Sequence, residues 1–211
     1  MAVSFADGFE SGGTSSWSTI VGTPTVQNSV VQEGTWALLT TASEGVSHTI
    51  AAGNRVVVVR YWFRTSADPT GARSNTGGFT TSTNVNMQIK LTGVISIYDG
   101  ATEVDTGPDL AAGSWYRADM MLNTTANPWV ISWQVGGVDQ GNTNIAHAAA
   151  DIISFSIGNT AAGVTNTYVD HFSLSLVAGD YPINDQRAFS YGAQGGINST
   201  SSNSISFGTS E

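Results

Sequence analysis

Nearly every periodic segment of this chain alternates apolar and polar side chains with a period of two, the spacing of a half-buried β-strand. Met87-Gln88-Ile89-Lys90-Leu91, Ile95-Ser96-Ile97 and Ile153-Ser154-Phe155-Ser156-Ile157 all follow it. Trp129 to Val135 places Trp129, Ile131, Trp133 and Val135 on one face. The run Arg55 to Arg64, RVVVVRYWFR, is continuously apolar between arginines and predicts a central strand covered on both faces. Gly53-Asn54, Asp68-Pro69, Asp99-Gly100 and Asn127-Pro128 punctuate these runs as turns, and Asp99-Gly100 marks a hairpin. Short strands at such spacing predict an all-β fold, an antiparallel jelly-roll β-sandwich. The segment Asn144 to Asp151, NIAHAAAD, reads as a short loop helix.

The strand pattern raises a question about acids. In Thr167 to Leu176, strict alternation puts Asp170 on the same face as Tyr168, Phe172, Leu174 and Leu176. A carboxylate among core side chains needs backbone donors, an arginine or a cation. The opening stretch FADGFESGGTSSW offers companions in Asp7 and Glu10. Asp7, Glu10 and Asp170 with backbone carbonyls would suit a structural Ca²⁺, an oxygen-seeking ion. The alternative is an Asp170 that caps loop amides, with Glu10 solvated.

Composition narrows the function classes. The chain has 211 residues with seven Lys plus Arg against sixteen Asp plus Glu, a formal charge of −9, and Lys90 is its single lysine. That balance argues against nucleic acid and anionic membrane surfaces as partners, because both need clustered cations. No cysteine occurs, which excludes disulfides and thiol chemistry. The first residues, Met1-Ala2-Val3-Ser4, lack the basic and apolar regions of a signal peptide, so synthesis in the cytoplasm is expected. Residues 1–180 read as one domain; from 181 to 211 the chain turns rich in Ser, Asn and Gly, as a flexible or partner-ordered C-terminal arm.

Two motifs bear on chemistry. Asp105-Thr106-Gly107 spells the aspartic-protease tripeptide but reads as a loop, and that chemistry needs two aspartates sharing a proton. Glycoside hydrolysis needs two carboxylates about 5–10 Å apart, which no strand here presents, so the expectation is a protein that is not an enzyme. Sugar binding has one candidate platform: Trp115 alternates with Arg117 and Asp119, away from Tyr116, Ala118, Met120 and Leu122. An aromatic beside polar groups can hold a sugar ring. The competing reading packs Trp115 into the structure.

Three motifs carry a family resemblance. Asp7-Gly8-Phe9-Glu10-Ser11-Gly12 with Trp17, Gly113-Ser114-Trp115, and Tyr168-Val169-Asp170-His171-Phe172 resemble concanavalin A-like lectin/glucanase jelly-roll domains of the laminin-G/MAM-like branch, over about residues 3 to 178. The resemblance implies Glu10 and Asp170 as calcium ligands, although His171 stands where such domains carry a second acid. With the exit Gly179-Asp180-Tyr181-Pro182-Ile183 it is similar to modules of bacteriophage structural proteins. The function so expected is a virion structural protein, a capsid decoration or tail-associated subunit. Its partners would be other virion proteins, copies of itself and host surface glycans. The alternative is a carbohydrate-binding module.

Overall fold

The computed structural model describes residues 3–159 and 165–182. In chain order the strands are β1 (Val3–Asp7), β2 (Thr19–Val21), β3 (Thr25–Gln27), β4 (Ala37–Thr40), β5 (Glu44–Thr49), β6 (Val56–Thr65), β7 (Ser74–Thr80) and β8 (Asn84–Ile89). There follow β9 (Val94–Asp99), β10 (Thr102–Asp109), β11 (Tyr116–Asn123), β12 (Trp129–Val135), β13 (Val138–Ile145), β14 (Ser154–Asn159) and β15 (Thr167–Ser175). They form two antiparallel sheets. The first runs β13-β12-β11-β6-β15-β4-β3 with β1 added to β15; the second runs β10-β9-β8-β7-β14-β5-β2.

The sandwich follows from the alternation. Val57, Val59, Tyr61 and Phe63 of β6, Met120 and Leu122 of β11, and Trp129, Ile131 and Trp133 of β12 turn inward from the first sheet. They meet Met87 and Ile89 of β8, Ile95 and Ile97 of β9, and Phe155 and Ile157 of β14. Each large apolar side chain so buried contributes about 1.5–3 kcal/mol. The Asp99-Gly100 signal is the β9–β10 hairpin, and RVVVVRYWFR supplies β6, flanked by β11 and β15.

Three local expectations change. Residues 146–153 form no helix. Two turns of isolated helix are marginal, and here the backbone groups pair elsewhere. Ala150 and Ile152 donate to the Thr124 and Asn54 carbonyls, and the Ala148 carbonyl accepts from the Trp129 indole. Asp105-Thr106-Gly107 is part of strand β10 rather than a loop. Asp105 points inward and accepts from the Trp133 indole at 2.9 Å and from the Thr143 hydroxyl. A side chain at Gly107 would strike the Trp133 ring, so both outer letters of the motif serve one tryptophan.

The third change concerns Asp170. A bulge between Asp170 and Ser173, with His171 at φ 49°, breaks the alternation of β15. Val169, Phe172 and Leu174 face the core, whereas Asp170 pairs with Trp62 and Ser173 with Arg60 on the outer face. Asp170 is buried nonetheless, against the segment around Gln32.

Candidate functional site on the outer face of the second sheet

Side chains that point away from the core on the second sheet line up across strands. One row reads Thr19, Ser47, Ser156, Gly78, Asn86, Tyr98 and Glu103, each paired in register with the next. It crosses the whole sheet, one strand spacing of about 4.8 Å per step. A second row, Asn75, Gln88, Ser96 and Thr106, runs beside it over β7 to β10. A Cβ at Gly78 would collide with the Asn86 amide, so the glycine leaves room for that side chain to lie across β7.

The floor of this face is polar and recessed. Asn75 is 4% exposed and Ser96 is fully buried. The Asn75 Oδ1 and Gln88 Oε1 oxygens are buried without hydrogen-bond partners, although a buried amide oxygen ordinarily has one. At the rim, Lys90 Nζ meets Glu103 Oε1 at 2.5 Å, and Glu103 also accepts from Thr106 Oγ1 at 2.5 Å and Tyr98 Oη at 3.3 Å. Hydrogen bonds from Lys90 and Thr106 hold the Glu103 carboxyl down to a pKa of about 2. The Arg73 guanidinium lies 3.9 Å over the Tyr98 ring and donates to the Ala101 carbonyl.

These residues were missed as a site because each looks ordinary by itself. Their signal was the polar half of the alternation, Gln88 with Lys90 and Ser96 with Tyr98, which shows outward placement but not which strands are neighbours.

The expected Trp115 platform is not assembled. Trp115 precedes β11 and is half-buried, and Arg117 does sit on the outer face of the first sheet. Asp119 is 0% exposed and accepts from Arg60 Nε at 2.7 Å and Arg117 Nε at 2.8 Å. Both its oxygens are committed to guanidinium groups, so it presents nothing to a sugar.

The three acids go to separate duties. Asp7 accepts from the Phe9 amide at 2.7 Å, Ser16 Oγ at 2.5 Å and the Trp17 indole at 2.8 Å, closing the loop that follows β1. Glu10 accepts from the Thr35 and Trp36 amides, and Asp170 from the Gln32, Glu33 and His171 amides. Burial pushes the Asp170 carboxyl up to about 6, against the pull of His171 and these amides. Among the described residues no three acidic or histidine side chains are gathered as a metal-binding group. Glu10 and Asp170 do grip one segment, and Gln32 Oε1 within it is buried without a hydrogen-bond partner. Carboxylate and amide oxygens are the donors a hard cation takes, and Glu10, Asp170 and Gln32 supply them along this one segment; Asp7 serves the loop after β1 instead.

No family model matches the sequence, and no curated protein matches it. Solved structures do resemble the fold. The cellulose-induced protein Cip1 superposes with a TM-score of 0.64 at 12% identity, over 82% of this chain and 97% of that one. Domain 4 of AbnA, an extracellular GH43 arabinanase from Geobacillus stearothermophilus solved with arabinotriose, gives 0.60 at 12%, over 82% and 91%. A sialidase gives 0.58 at 14%, and this chain spans only 19% of it. What these share with the chain is the β-sandwich.

Proposed function

We propose that this protein is a carbohydrate-binding module that takes a glycan across the outer face of the second sheet. The observation that carries the reading is the pair of buried, unpartnered amide oxygens of Asn75 and Gln88. They lie side by side on β7 and β8 beneath a polar rim. Sugar hydroxyls are donors that would satisfy both, and buried acceptors left alone cost more than paired ones. The row from Thr19 to Glu103 gives a chain of sugar units a path over all seven strands. The reading agrees with the kind of protein that shares the sandwich, one of which was solved holding arabinotriose.

Binding rather than cleavage is proposed because Glu103 is a poor proton donor. Its carboxyl stays ionised down to about pH 2 and is already engaged by Lys90, Thr106 and Tyr98. A calcium ion at Glu10, Asp170 and Gln32 would then serve structure, fixing the 32–36 segment. The virion setting expected from the sequence came from the motif resemblance, the Gly179-to-Ile183 exit and the C-terminal arm, of which residues 183–211 lie outside the described residues, and glycan binding does not depend on it.

A panel of polysaccharides and oligosaccharides screened with the intact protein and with Asn75→Ala/Gln88→Ala tests the site. Capture of at least one glycan, lost in the double variant while its melting temperature holds, is the expected result. Retained capture by a folded double variant moves the site elsewhere.

A further inference from the structure

After β15 the chain doubles back over the outer face of the first sheet. Ser175 Oγ donates to Asp180 Oδ2 at 2.5 Å and accepts from the Val177 amide, and the turn Ala178–Asp180 packs on β6. Residues 177–182 thus form a strap on the side of the molecule opposite the glycan face.

On and beneath the strap are three buried polar atoms without hydrogen-bond partners. Arg60 is 4% exposed; its Nε is taken by Asp119, while its Nη2 is buried without a partner. Ser173, opposite Arg60 on β15, is 1% exposed with an unpartnered Oγ. Tyr181, on the strap, has its hydroxyl buried and unpartnered. All three can donate. Burial, with the charges of Asp139 and Asp119, raises the Tyr181 phenol pKa and keeps its proton in place.

Arg60 and Arg117 share the buried carboxylate of Asp119, while the carboxylate of the strap's own Asp180 is engaged by Ser175. A guanidinium edge in a dry site favours a planar carboxylate, which accepts parallel hydrogen bonds. We infer that the strap covers a second binding site, for the carboxylate of a small ligand, with Arg60, Ser173 and Tyr181 as its donors. The site is independent of the glycan-binding reading and faces away from it.

Thermal unfolding of the intact protein at fixed ionic strength tests this, with sodium acetate, sodium glucuronate, glucose and sodium chloride as probes. A ligand held by the folded state raises the melting temperature saturably with its concentration. Acetate is expected to do so where chloride and glucose do not. A matching rise with glucuronate would show that the site admits a sugar acid, and acetate alone that it takes only a small free carboxylate. Tyr181→Phe and Ser173→Ala keep the shape, and each should weaken acetate binding about tenfold, the effect of one hydrogen bond to a charged group. Equal curves in acetate and chloride, or an acetate shift untouched in Tyr181→Phe/Ser173→Ala, would overturn the site. So would glucose acting as strongly as glucuronate.

Discussion

Asp105 on β10 accepts the indole N–H of Trp133 on β12 at 2.9 Å, a hydrogen bond from one sheet of the sandwich to the other. Trp133 is fully buried, so its N–H has no water to turn to. Asp105→Ala should therefore destabilise the fold by about 1–3 kcal/mol, the cost of a buried donor left alone. Gly107→Ala should cost a similar amount by forcing the ring to shift, about 1–3 kcal/mol for an overpacked site. Urea unfolding of both variants measures this. A neutral Gly107→Ala would mean that the ring has room the structure does not show.

On the glycan face, single changes should weaken binding without unfolding. Gln88→Ala is expected to lower affinity about fivefold, from one hydrogen bond of roughly 1 kcal/mol. Arg117→Ala, on the other sheet, should leave glycan affinity alone. Isothermal titration with whichever glycan the panel returns compares the two. Equal losses in both variants would argue for a general loss of structure.

The segment held by Glu10 and Asp170 supplies a metal test. If calcium completes that donor set, saturating calcium raises the melting temperature relative to chelator, and Asp170→Asn removes the difference. The scale is about 2–4 °C per kcal/mol of ligand stabilisation for a domain of this size. Superimposable curves in millimolar calcium and in chelator would leave both acids as loop clasps that act through hydrogen bonds alone.

Acid should reach the Lys90–Glu103 pair late. The folded-state pKa of Glu103, about 2, lies below its ordinary 4.5. Its contribution is therefore complete above about 4.5 and is lost as pH falls from there toward 2. Lys90→Ala removes the largest cause of the depression, so it should flatten the stability profile in that window and lower stability above about pH 4.5 by the same amount, a small one as for other partly exposed pairs. Stability profiles of the two proteins from pH 2 to 7 provide the check. An unchanged slope in the variant would place the acid sensitivity on another carboxylate.

Much of the fold was legible because the inward positions are nearly all apolar. Trp129, Ile131, Trp133 and Val135 declared their face by alternation alone, as did Met87, Ile89, Ile95 and Ile97. Asp170 misled for the opposite reason. A bulge adds one residue to β15 without any change in composition, so strict counting carried the acid to the wrong face. Asp105-Thr106-Gly107 misled because a turn-rich tripeptide can still be drawn into a strand when an indole needs its carboxylate and its missing side chain.

The sequence by itself determined that this chain is a sandwich of antiparallel strands with a polar, weakly charged exterior. Period-two alternation is a local property, and each strand carries its own record of it. Only the tertiary structure decided that Asn75, Gln88 and Ser96 stand in one row, that Asp119 lies buried between two arginines, and that residues 177–182 close over Arg60. Those relations depend on which strands are neighbours and in what register. In a fold whose partners lie tens of residues apart, the pairing comes from the packing of the whole core, and no single strand encodes it.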